Sequence, residues 1–290
     1  MTAESQKHWS ADPADLLRAG PGFRLADVDP ESTPGYDGDK RDGEDDLVAG
    51  AEQLDELQER LFAQSRMAEG SGEGPSVLLV LQAMDSAGKG GIVRHVIGTT
   101  DPQGVHLKAF KKPTAEDLAH DFLWRVEREL PEPGYIGVFD RSHYEDVLIG
   151  RVRGLASPGE IERRYDAIVD FERRVADAGT HMIKVMLHIS PEEQKSRLME
   201  RLDRPDKHWK YNPGDVDERE LWPAYMEAYQ AVFDRTSTEA APWFVVPANR
   251  KWYARLAVQA LLLDALEAID PRWPAATYDV AAEKARLAAT

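Results

Sequence analysis

Two short stretches contain charged residues whose types and spacing are typical of phosphate chemistry. The first, AMDSAGKGG over residues 83–91, contains Asp85 and Lys89, and the second, FDRSHYEDV, contains Asp140 and Arg141. A glycine-bearing loop between a buried strand and a helix offers backbone N–H groups to phosphate, and its lysine follows the β- or γ-phosphate. Carboxylates beside such a loop hold Mg²⁺, which bridges phosphate oxygens. Together the two stretches predict magnesium-assisted phosphoryl transfer.

The first stretch departs from the usual phosphate-binding loop, G-x-x-x-x-G-K-[ST], at three places. Ala83 replaces the first glycine, Gly90 replaces the hydroxyl residue that contacts magnesium, and Asp85 lies inside the loop. We expect Asp85 to take over the metal contact of the missing hydroxyl, facing Asp140. The alternative is an ordinary glycine-rich turn with an exposed lysine. The predicted phosphate-binding residues of the loop are Ser86, Ala87, Gly88, Lys89, Gly90 and Gly91.

The second stretch places an acid at the end of an apolar run, where phosphate-loop enzymes carry a magnesium-organising carboxylate. Asp140 is that acid, and the guanidinium of Arg141 is suited to binding two phosphate oxygens at once. The alternative is that Asp140 only caps the next helix, because aspartate is a good N-cap. The predicted catalytic residues are Asp85, Lys89, Asp140 and Arg141, and the predicted metal ligands are Asp85 and Asp140.

A third stretch, SRLMERLDRPDKHWKYNPGD over residues 196–215, is basic in an otherwise acidic chain. Arg197, Arg201 and Arg204 are spaced by four and three residues, so they share one face of a helix. A mobile basic lid that closes over transferring phosphates explains this cluster; a solvated charged face is the alternative. We expect Arg201, Arg204, Lys207 and Lys210 to bind phosphate. Lys108, Lys111 and Lys112 are weaker candidates to extend the basic track.

The elements that must position these residues follow from the hydrophobic pattern. Apolar runs alternate with amphipathic segments, which predicts an α/β fold with a parallel sheet and helices on both faces. Ligands of such sheets bind at the carboxyl ends of the strands, where the stretches above begin. The predicted strands span 76–82, 105–110, 135–140, 181–189 and 243–248, and the predicted helices about 89–98, 114–130, 159–178, 191–203, 218–236 and 250–269.

Charge and composition suggest three segments. Residues 1–46 are predicted to form an irregular acidic arm, 47–75 a helix with a glycine-rich linker, and 76–290 the catalytic domain with a lid at about 195–220. Residues 1–75 hold 18 acidic and 7 basic residues of a chain whose net charge is −16. The negative charge of the arm would repel a polyanionic substrate at long range. We therefore expect the arm to lie on the face opposite the predicted phosphate site or at a subunit contact.

Several classes of protein are disfavoured by composition. The acidic charge argues against a nucleic-acid-binding protein, and the lack of cysteine excludes disulfides and cysteine chemistry. We find no apolar run long enough for a membrane span and no signal-peptide pattern, so we expect a cytoplasmic protein without membrane contact. Ser86 and Ser142 lack the partners of a Ser-His-Asp hydrolase.

With these motifs assembled, the chain resembles the polyphosphate kinase 2 family. The resemblance rests on LQAMDSAGKGG, FDRSHYEDVL and RLDRPDKHWKYNPGD, supported by FKKPTAEDLAHDFLWR and VPANRKWYARL, and it covers about residues 30–270. It implies a three-layer α/β/α sandwich of the P-loop kinase type, with a five-stranded parallel sheet and a helical lid. The first two blocks would be its Walker A and Walker B elements.

The resemblance also implies an activity, the transfer of a phosphoryl group between inorganic polyphosphate and a nucleotide with Mg²⁺, for which Mn²⁺ can substitute. The sequence is most similar to the group that accepts AMP and ADP, with GMP and GDP as further candidates. It implies phosphate contacts for Arg151, acceptor selectivity from Glu116, Asp117 and Asp121, and a homodimer or homotetramer. The alternative is an ATP-dependent nucleotide or nucleoside kinase with the same sheet and lid.

Overall fold

A computed structural model describes residues 7–67 and 74–290 of the chain. Five parallel strands form one sheet in the order β2-β3-β1-β4-β5, which confirms the predicted fold class. Residues 68–73, most of the predicted glycine-rich linker, lie outside the described residues. The strands are β1 (Ser76–Ala83), β2 (Val105–Ala109), β3 (Ile136–Asp140), β4 (Thr180–His188) and β5 (Trp243–Pro247), each within one residue of its predicted bounds.

Helices cover both faces of this sheet and connect its strands. They are α1 (Pro13–Leu17), α2 (Lys40–Met67), α3 (Lys89–His95), α4 (Trp124–Glu127), α5 (Glu145–Val152), α6 (Pro158–Asp177), α7 (Pro191–Asp203), α8 (Gly214–Glu220), α9 (Trp222–Thr236), α10 (Lys251–Ile269) and α11 (Val280–Ala288). Short 3₁₀ turns include Asp117–Ala119 and, in the lid, Pro205–Lys210.

The side chains of β1 alternate between the two layers of the core. Leu79 packs in the layer formed with α2, α3 and α10, whereas Leu78 and Val80 pack with α5, α6 and α9. Both layers are fully apolar at this strand, which is why it appears in the sequence as a continuous hydrophobic run rather than an alternating one. The central strand therefore ends, at the phosphate loop, between two packed layers.

The predicted helix over residues 114–130 does not form. The Asp117 carboxylate accepts hydrogen bonds from the Thr114 N–H at 2.8 Å and the Thr114 hydroxyl at 2.9 Å, and the Asp121 carboxylate accepts one from the Leu123 N–H at 3.1 Å. Such bonds from side chain to backbone compete with helical ones. The segment is therefore mostly irregular, with α4 as its only α-helical turn among the described residues.

Three other helical predictions are corrected. The helix predicted over 218–236 is two helices, α8 and α9, with Pro223 in the first turn of the second. The helix α5, which directly follows the Asp140 segment, is not among the predicted ones. The N-terminal helix α2 begins at Lys40, seven residues before its predicted start, because Asp39 accepts hydrogen bonds from the N–H groups of Arg41 and Asp42.

The acidic arm is part of the folded body and not a separate surface layer. Leu17, Leu25 and Tyr36 are buried, and an antiparallel bridge joins Arg18 to Phe244 of the edge strand β5. The arm then reaches the carboxyl edge of the sheet, where the Glu31 carboxylate lies 3.4 Å from Arg250. This part of the arm therefore does not lie on the face opposite the site, whereas the alternative of a subunit contact stays a prediction. Among the described residues, no helix has the length and apolar character needed to cross a membrane.

Candidate active site

The phosphate loop connects β1 to α3 through two unusual backbone conformations. Ser86 has φ 68° and Gly88 has φ 125°, both in the left-handed region. Glycine reaches such angles without strain, so a side chain at Gly88 would be disfavoured whatever the surrounding space. The Lys89 ammonium turns back over the loop and donates to the Ala83 carbonyl at 3.3 Å. The loop thus has the compact turn that a phosphate-binding loop requires.

Side chains of α7 hold the loop from behind. Gln194 donates to the Asp85 carbonyl at 3.0 Å, and Arg197 donates to the carbonyls of Ser86 at 3.1 Å and Ala87 at 2.7 Å. Because the C=O and N–H of a trans peptide point in opposite directions, the N–H of Gly88 faces away from α7. The loop therefore presents backbone donors on its open side.

Arg197 also ties the loop to the end of β5. Its guanidinium donates to the Ala248 carbonyl at 2.6 Å and to the Asn249 carbonyl at 3.0 Å, and it pairs with Glu193 at 2.7 Å. The residue is 6% exposed, so these bonds form away from water. The sequence places Arg197 on the basic lid face, whereas the structure makes it a buried brace between two strand ends.

Asp85 and Arg141 meet on the wall of the site. The Arg141 guanidinium donates to the Asp85 carboxylate at 3.0 Å, and the Arg141 N–H donates to the Leu81 carbonyl of β1 at 3.0 Å. Burial opposes the charged guanidinium, but the carboxylates of Glu145, Asp85 and Asp140 outweigh it and raise the pKa of Arg141. Arg141 has φ 63°, a strained conformation for a residue with a side chain.

A buried polar network anchors the segment that carries this strained arginine. The Tyr144 hydroxyl donates to Glu172 at 2.7 Å, and the Lys184 ammonium pairs with Glu172 at 2.6 Å. Burial opposes ionisation of Glu172, yet the Lys184 ammonium and His143 hold its pKa below the ordinary value. The N-cap of α5 is Tyr144. Asp140 therefore does not cap that helix, and the alternative explanation for it is excluded.

These elements enclose a cavity of about 560 Å³ at the carboxyl edge of the sheet, which we call the basic cavity. It is lined by residues of the predicted phosphate loop, of the predicted lid, of α3 and of α10. It is strongly cationic in a chain of net charge −16. The charged residues that line it are Lys89, Arg94, Lys111, Arg141, Arg201, Lys207, Lys210, Lys251 and Arg255, against Asp85 and Asp140.

The structure brings most of the predicted site residues to this cavity. All predicted phosphate-loop residues line it, together with Asp140, Arg141, Arg201, Lys207 and Lys210. The weaker candidate Lys111 also lines it, whereas Lys108 pairs with Glu129. Three further cations of the lining were not predicted from the sequence: Arg94, Lys251 and Arg255. Lys251 and Arg255 could have been predicted. They are basic residues four positions apart, at the start of the helix that follows β5.

Five further predicted residues lie outside the lining of the cavity, as does the weaker candidate Lys112. Arg204 is exposed and pairs with Glu200 and Asp206, and Arg151 is exposed on α5, beside Tyr165. The three acids of the irregular segment have local partners instead. Glu116 lies 3.9 Å from Arg128, Asp117 accepts from Thr114, and Asp121 lies 3.5 Å from Arg163.

A second, smaller cavity of about 250 Å³ shares the Asp85–Arg141 pair as a wall. Its other lining residues include Glu145, Asp215 and Glu218, and burial raises the pKa of both Glu145 and Asp215. The two cavities thus have opposite electrostatic character on the two sides of one ion pair. A polyanion is repelled from the acidic side and attracted to the basic side.

The donor set at the boundary suits magnesium. Within residues 7–67 and 74–290, no group of three or more His, Cys, Asp or Glu side chains is arranged to hold a metal ion. Asp85 and Asp140 are two carboxylates at the ends of neighbouring strands, both facing the basic cavity. Mg²⁺ is usually bound by one or two carboxylates while water and substrate phosphates complete its octahedron, so a two-carboxylate site fits this ion.

Comparison with known proteins agrees with this geometry. The sequence profile of a family described as Polyphosphate kinase 2 (PPK2) matches residues 41–274. The chain belongs to the polyphosphate kinase 2 family. The family prediction is thereby confirmed, and with it the prediction of a kinase that transfers phosphoryl groups between polyphosphate and nucleotides.

Similar family members cover nearly the whole chain. An AMP/ADP-polyphosphate phosphotransferase of Meiothermus ruber is 43% identical over 87% of this chain and 91% of that protein. An ADP-polyphosphate phosphotransferase of Rhodopseudomonas palustris is 41% identical over 80% of this chain and 81% of that protein. A crystal structure of polyphosphate kinase 2 from Arthrobacter aurescens TC1 superimposes with a TM-score of 0.93, at 58% identity, over 97% of this chain and 98% of that one.

Proposed function

We propose that the chain catalyses Mg²⁺-dependent transfer of a phosphoryl group between inorganic polyphosphate and AMP or ADP, with ADP and ATP as products. GMP and GDP are further proposed acceptors. The observation that carries the proposal is the basic cavity, where nine cationic side chains and two carboxylates converge beside a phosphate loop. The name of the Meiothermus relative supports both AMP and ADP as acceptors.

The proposed centre consists of the phosphate loop and the Asp140–Arg141 segment. Lys89 and the backbone N–H groups of the loop bind the phosphoryl group, and Arg141 stabilises the negative charge that moves during transfer. Asp85 and Asp140 would hold Mg²⁺, or Mn²⁺ in its place, which neutralises and orients phosphate oxygens. No covalent intermediate on the protein is needed, because positioning and charge neutralisation supply most of the catalysis.

The remaining cations of the cavity are proposed to hold the polyanionic chain. Arg201, Lys207 and Lys210 belong to the lid, whereas Lys251 and Arg255 belong to α10. A lid that closes on bound phosphates excludes water and so limits hydrolysis. Arg151 and Arg204 are exposed outside the cavity, so their proposed phosphate contacts require movement or a peripheral part of the polyphosphate.

Acceptor selectivity is proposed to come from the irregular segment that contains Glu116, Asp117 and Asp121. The segment begins directly after Phe110 and Lys111, which line the basic cavity. Its acids reach a nucleotide only if the segment moves toward the cavity, and its exposed, irregular backbone leaves room for that. A cytoplasmic location and assembly as a homodimer or homotetramer stay predictions.

The donor assay tests the proposed reaction. The protein is incubated with Mg²⁺, long-chain polyphosphate and either AMP or ADP, without ATP, and newly formed ADP and ATP are quantified. We expect ATP from ADP, and ADP followed by ATP from AMP. A parallel reaction with ATP and a nucleoside, without polyphosphate, is expected to give no product. Nucleoside phosphorylation there, with no product from polyphosphate, would instead support the ATP-dependent kinase.

A further inference from the structure

Trp209 is an exposed aromatic side chain in the lid. It belongs to the 3₁₀ turn Pro205–Lys210 and is 78% exposed, and no large apolar side chain in the described part of the chain is more exposed. Its neighbours in the turn, Lys207 and Lys210, both line the basic cavity. A single exposed apolar residue is ordinary on a protein surface. The position of Trp209 beside the phosphate site, and not its exposure alone, therefore needs an explanation.

Local contacts fix the orientation of the indole ring. Its Nε1–H donates to the Asp206 carbonyl at 3.1 Å, and the Lys210 ammonium lies over the ring, 4.9 Å from its centroid. The Arg201 guanidinium donates to the Lys210 carbonyl at 3.1 Å, which ties the turn to α7. The ring is thus held at one edge and has a cation over one face, while its other face is open to solvent. Such an ordered ring loses little conformational entropy when it binds a ligand.

The two substrates differ in the surface that they need. Polyphosphate consists only of phosphate groups, which the cations of the basic cavity can bind. A nucleobase is uncharged and planar, and it binds best on an aromatic face. Among the described residues that line the basic cavity, Phe110 is the only aromatic one, and it is buried with its ring edge-to-face on Phe139. The cavity therefore has cations for phosphate but no free ring for a base.

Other aromatic side chains near the site are covered. Trp124, in the irregular segment, is stacked on His120 with 4.0 Å between ring centroids, and the Arg128 guanidinium lies 4.6 Å from the Trp124 ring centroid. Tyr225 and Tyr229 line the second, smaller cavity, but both are buried. The lid indole, by contrast, has a ring face that a base can reach.

We propose that Trp209 stacks on the base of the acceptor nucleotide when the lid closes. The inference rests on the proposed function, in which AMP or ADP is the acceptor. Lys207 and Lys210 move with the indole, because all three belong to one six-residue turn. Stacking on an aromatic side chain strengthens binding about fivefold to 150-fold, and it tolerates any base because every base has a π-face. The same contact would therefore serve adenine and guanine.

Isothermal titration calorimetry of the full-length chain with Mg²⁺ and two ligands tests this inference. The ligands are ADP and inorganic pyrophosphate, which has the two phosphates of ADP without the nucleoside. The test variant is Trp209→Ala, and Trp209→Phe keeps an aromatic face at the same position. The matched control is Trp273→Ala, at a tryptophan that is 50% exposed and does not line the basic cavity.

We expect Trp209→Ala to weaken ADP binding about fivefold or more and to leave pyrophosphate binding unchanged. Trp209→Phe is expected to recover most of the lost ADP affinity, and Trp273→Ala to bind both ligands like the wild type. An unchanged ADP affinity in Trp209→Ala would overturn the inference. Equal losses for ADP and pyrophosphate would also overturn it, because Trp209 would then support the lid and not the base. A wild-type chain that binds pyrophosphate as tightly as ADP would leave no contribution from the base and would overturn it as well.

Steady-state kinetics add a second readout. In Trp209→Ala the KM for ADP is expected to rise at saturating polyphosphate, whereas the KM for polyphosphate at saturating ADP stays at the wild-type value. A rise confined to the KM for polyphosphate would place Trp209 on the polyanion and contradict the inference. The proposed reaction is tested by product formation in the wild type, and the base contact by the difference in binding between variants, so each can fail without the other.

Discussion

At the scale of single residues, strained backbone conformations lie in the proposed centre. Ser86 and Arg141 are two of the three non-glycine residues with positive φ among those described, and both line the basic cavity. Such conformations cost about 1–3 kcal/mol each and persist only where the surroundings impose them. Gln194 and Arg197 impose the first through the loop carbonyls, and the network around Tyr144 fixes the residues after the second. Strain here coincides with the groups proposed to bind phosphate.

His188, at the end of β4, gives a pH dependence at the same scale. It is 8% exposed, and burial lowers its pKa to about 4, below the ordinary value of about 6.5. Between these two values the unfolded chain binds a proton that the folded chain does not. Folding stability therefore falls as the pH falls, by about 2 kcal/mol from this residue between pH 7 and pH 5.

Urea unfolding at both pH values measures this effect. We expect the difference in the free energy of unfolding between pH 7 and pH 5 to be about 2 kcal/mol smaller in His188→Gln than in the wild type. The control His120→Gln changes an exposed histidine and is expected to keep the full difference. An unchanged pH dependence in His188→Gln would show that the imidazole does not titrate in this way.

At the scale of elements, the apolar runs located the sheet because buried parallel strands are continuous hydrophobic segments. The helix over 114–130 was wrong because Asp117 and Asp121 bond to nearby backbone groups. The early start of α2 was missed because residues 1–46 were predicted to be an irregular arm. A Cβ at Gly43 of this helix would lie 2.4 Å from the Trp252 ring, so glycine permits the close contact with α10. Such packing requirements have no local signature in the sequence.

In the candidate site, too, contiguous motifs were predictable from the sequence, whereas contacts between distant residues were not. The loop, Asp140 and Arg141 were predictable because their motifs are contiguous and follow strands. Arg197 was not recognised as a brace, since its partners are carbonyl groups more than 50 residues away and carbonyl groups are common to every residue. Arg94 lines the cavity through the packing of α3 and carried no such signal.

The contacts of Arg197, the brace on α7, predict how a substitution of this residue affects catalysis. In Arg197→Lys the single ammonium cannot span carbonyls on two strand ends, so the loop loses its fixed position. We expect kcat to fall on the order of tenfold to hundredfold, because small displacements of a catalytic group are costly. The control Arg173→Lys, at an exposed arginine of α6, is expected to keep its kcat. Equal rates for Arg197→Lys and wild type would contradict the brace.

At the scale of the whole molecule, the chain is acidic but its site is cationic. This separation predicts that polyphosphate binding weakens as salt screens the cavity. Raising KCl from about 50 mM to about 200 mM is expected to raise the KM for polyphosphate several-fold. Lys251→Gln with Arg255→Gln is expected to raise that KM at low salt and to reduce its salt dependence, whereas the control Arg173→Gln, at an exposed arginine of α6, changes neither. A KM that is independent of salt would exclude electrostatic capture by the cavity.

Asp85 is proposed to make the metal contact that the hydroxyl of the usual phosphate loop provides. The most direct test is the initial rate of ATP formation from ADP and polyphosphate at saturating Mg²⁺ in Asp85→Asn. The matched control is Asp166→Asn, an acid 81% exposed on α6, and melting curves verify that both variants are folded. We expect the rate to fall on the order of 100-fold or more in Asp85→Asn and to stay at the wild-type value in the control. A near-wild-type rate in Asp85→Asn would contradict it.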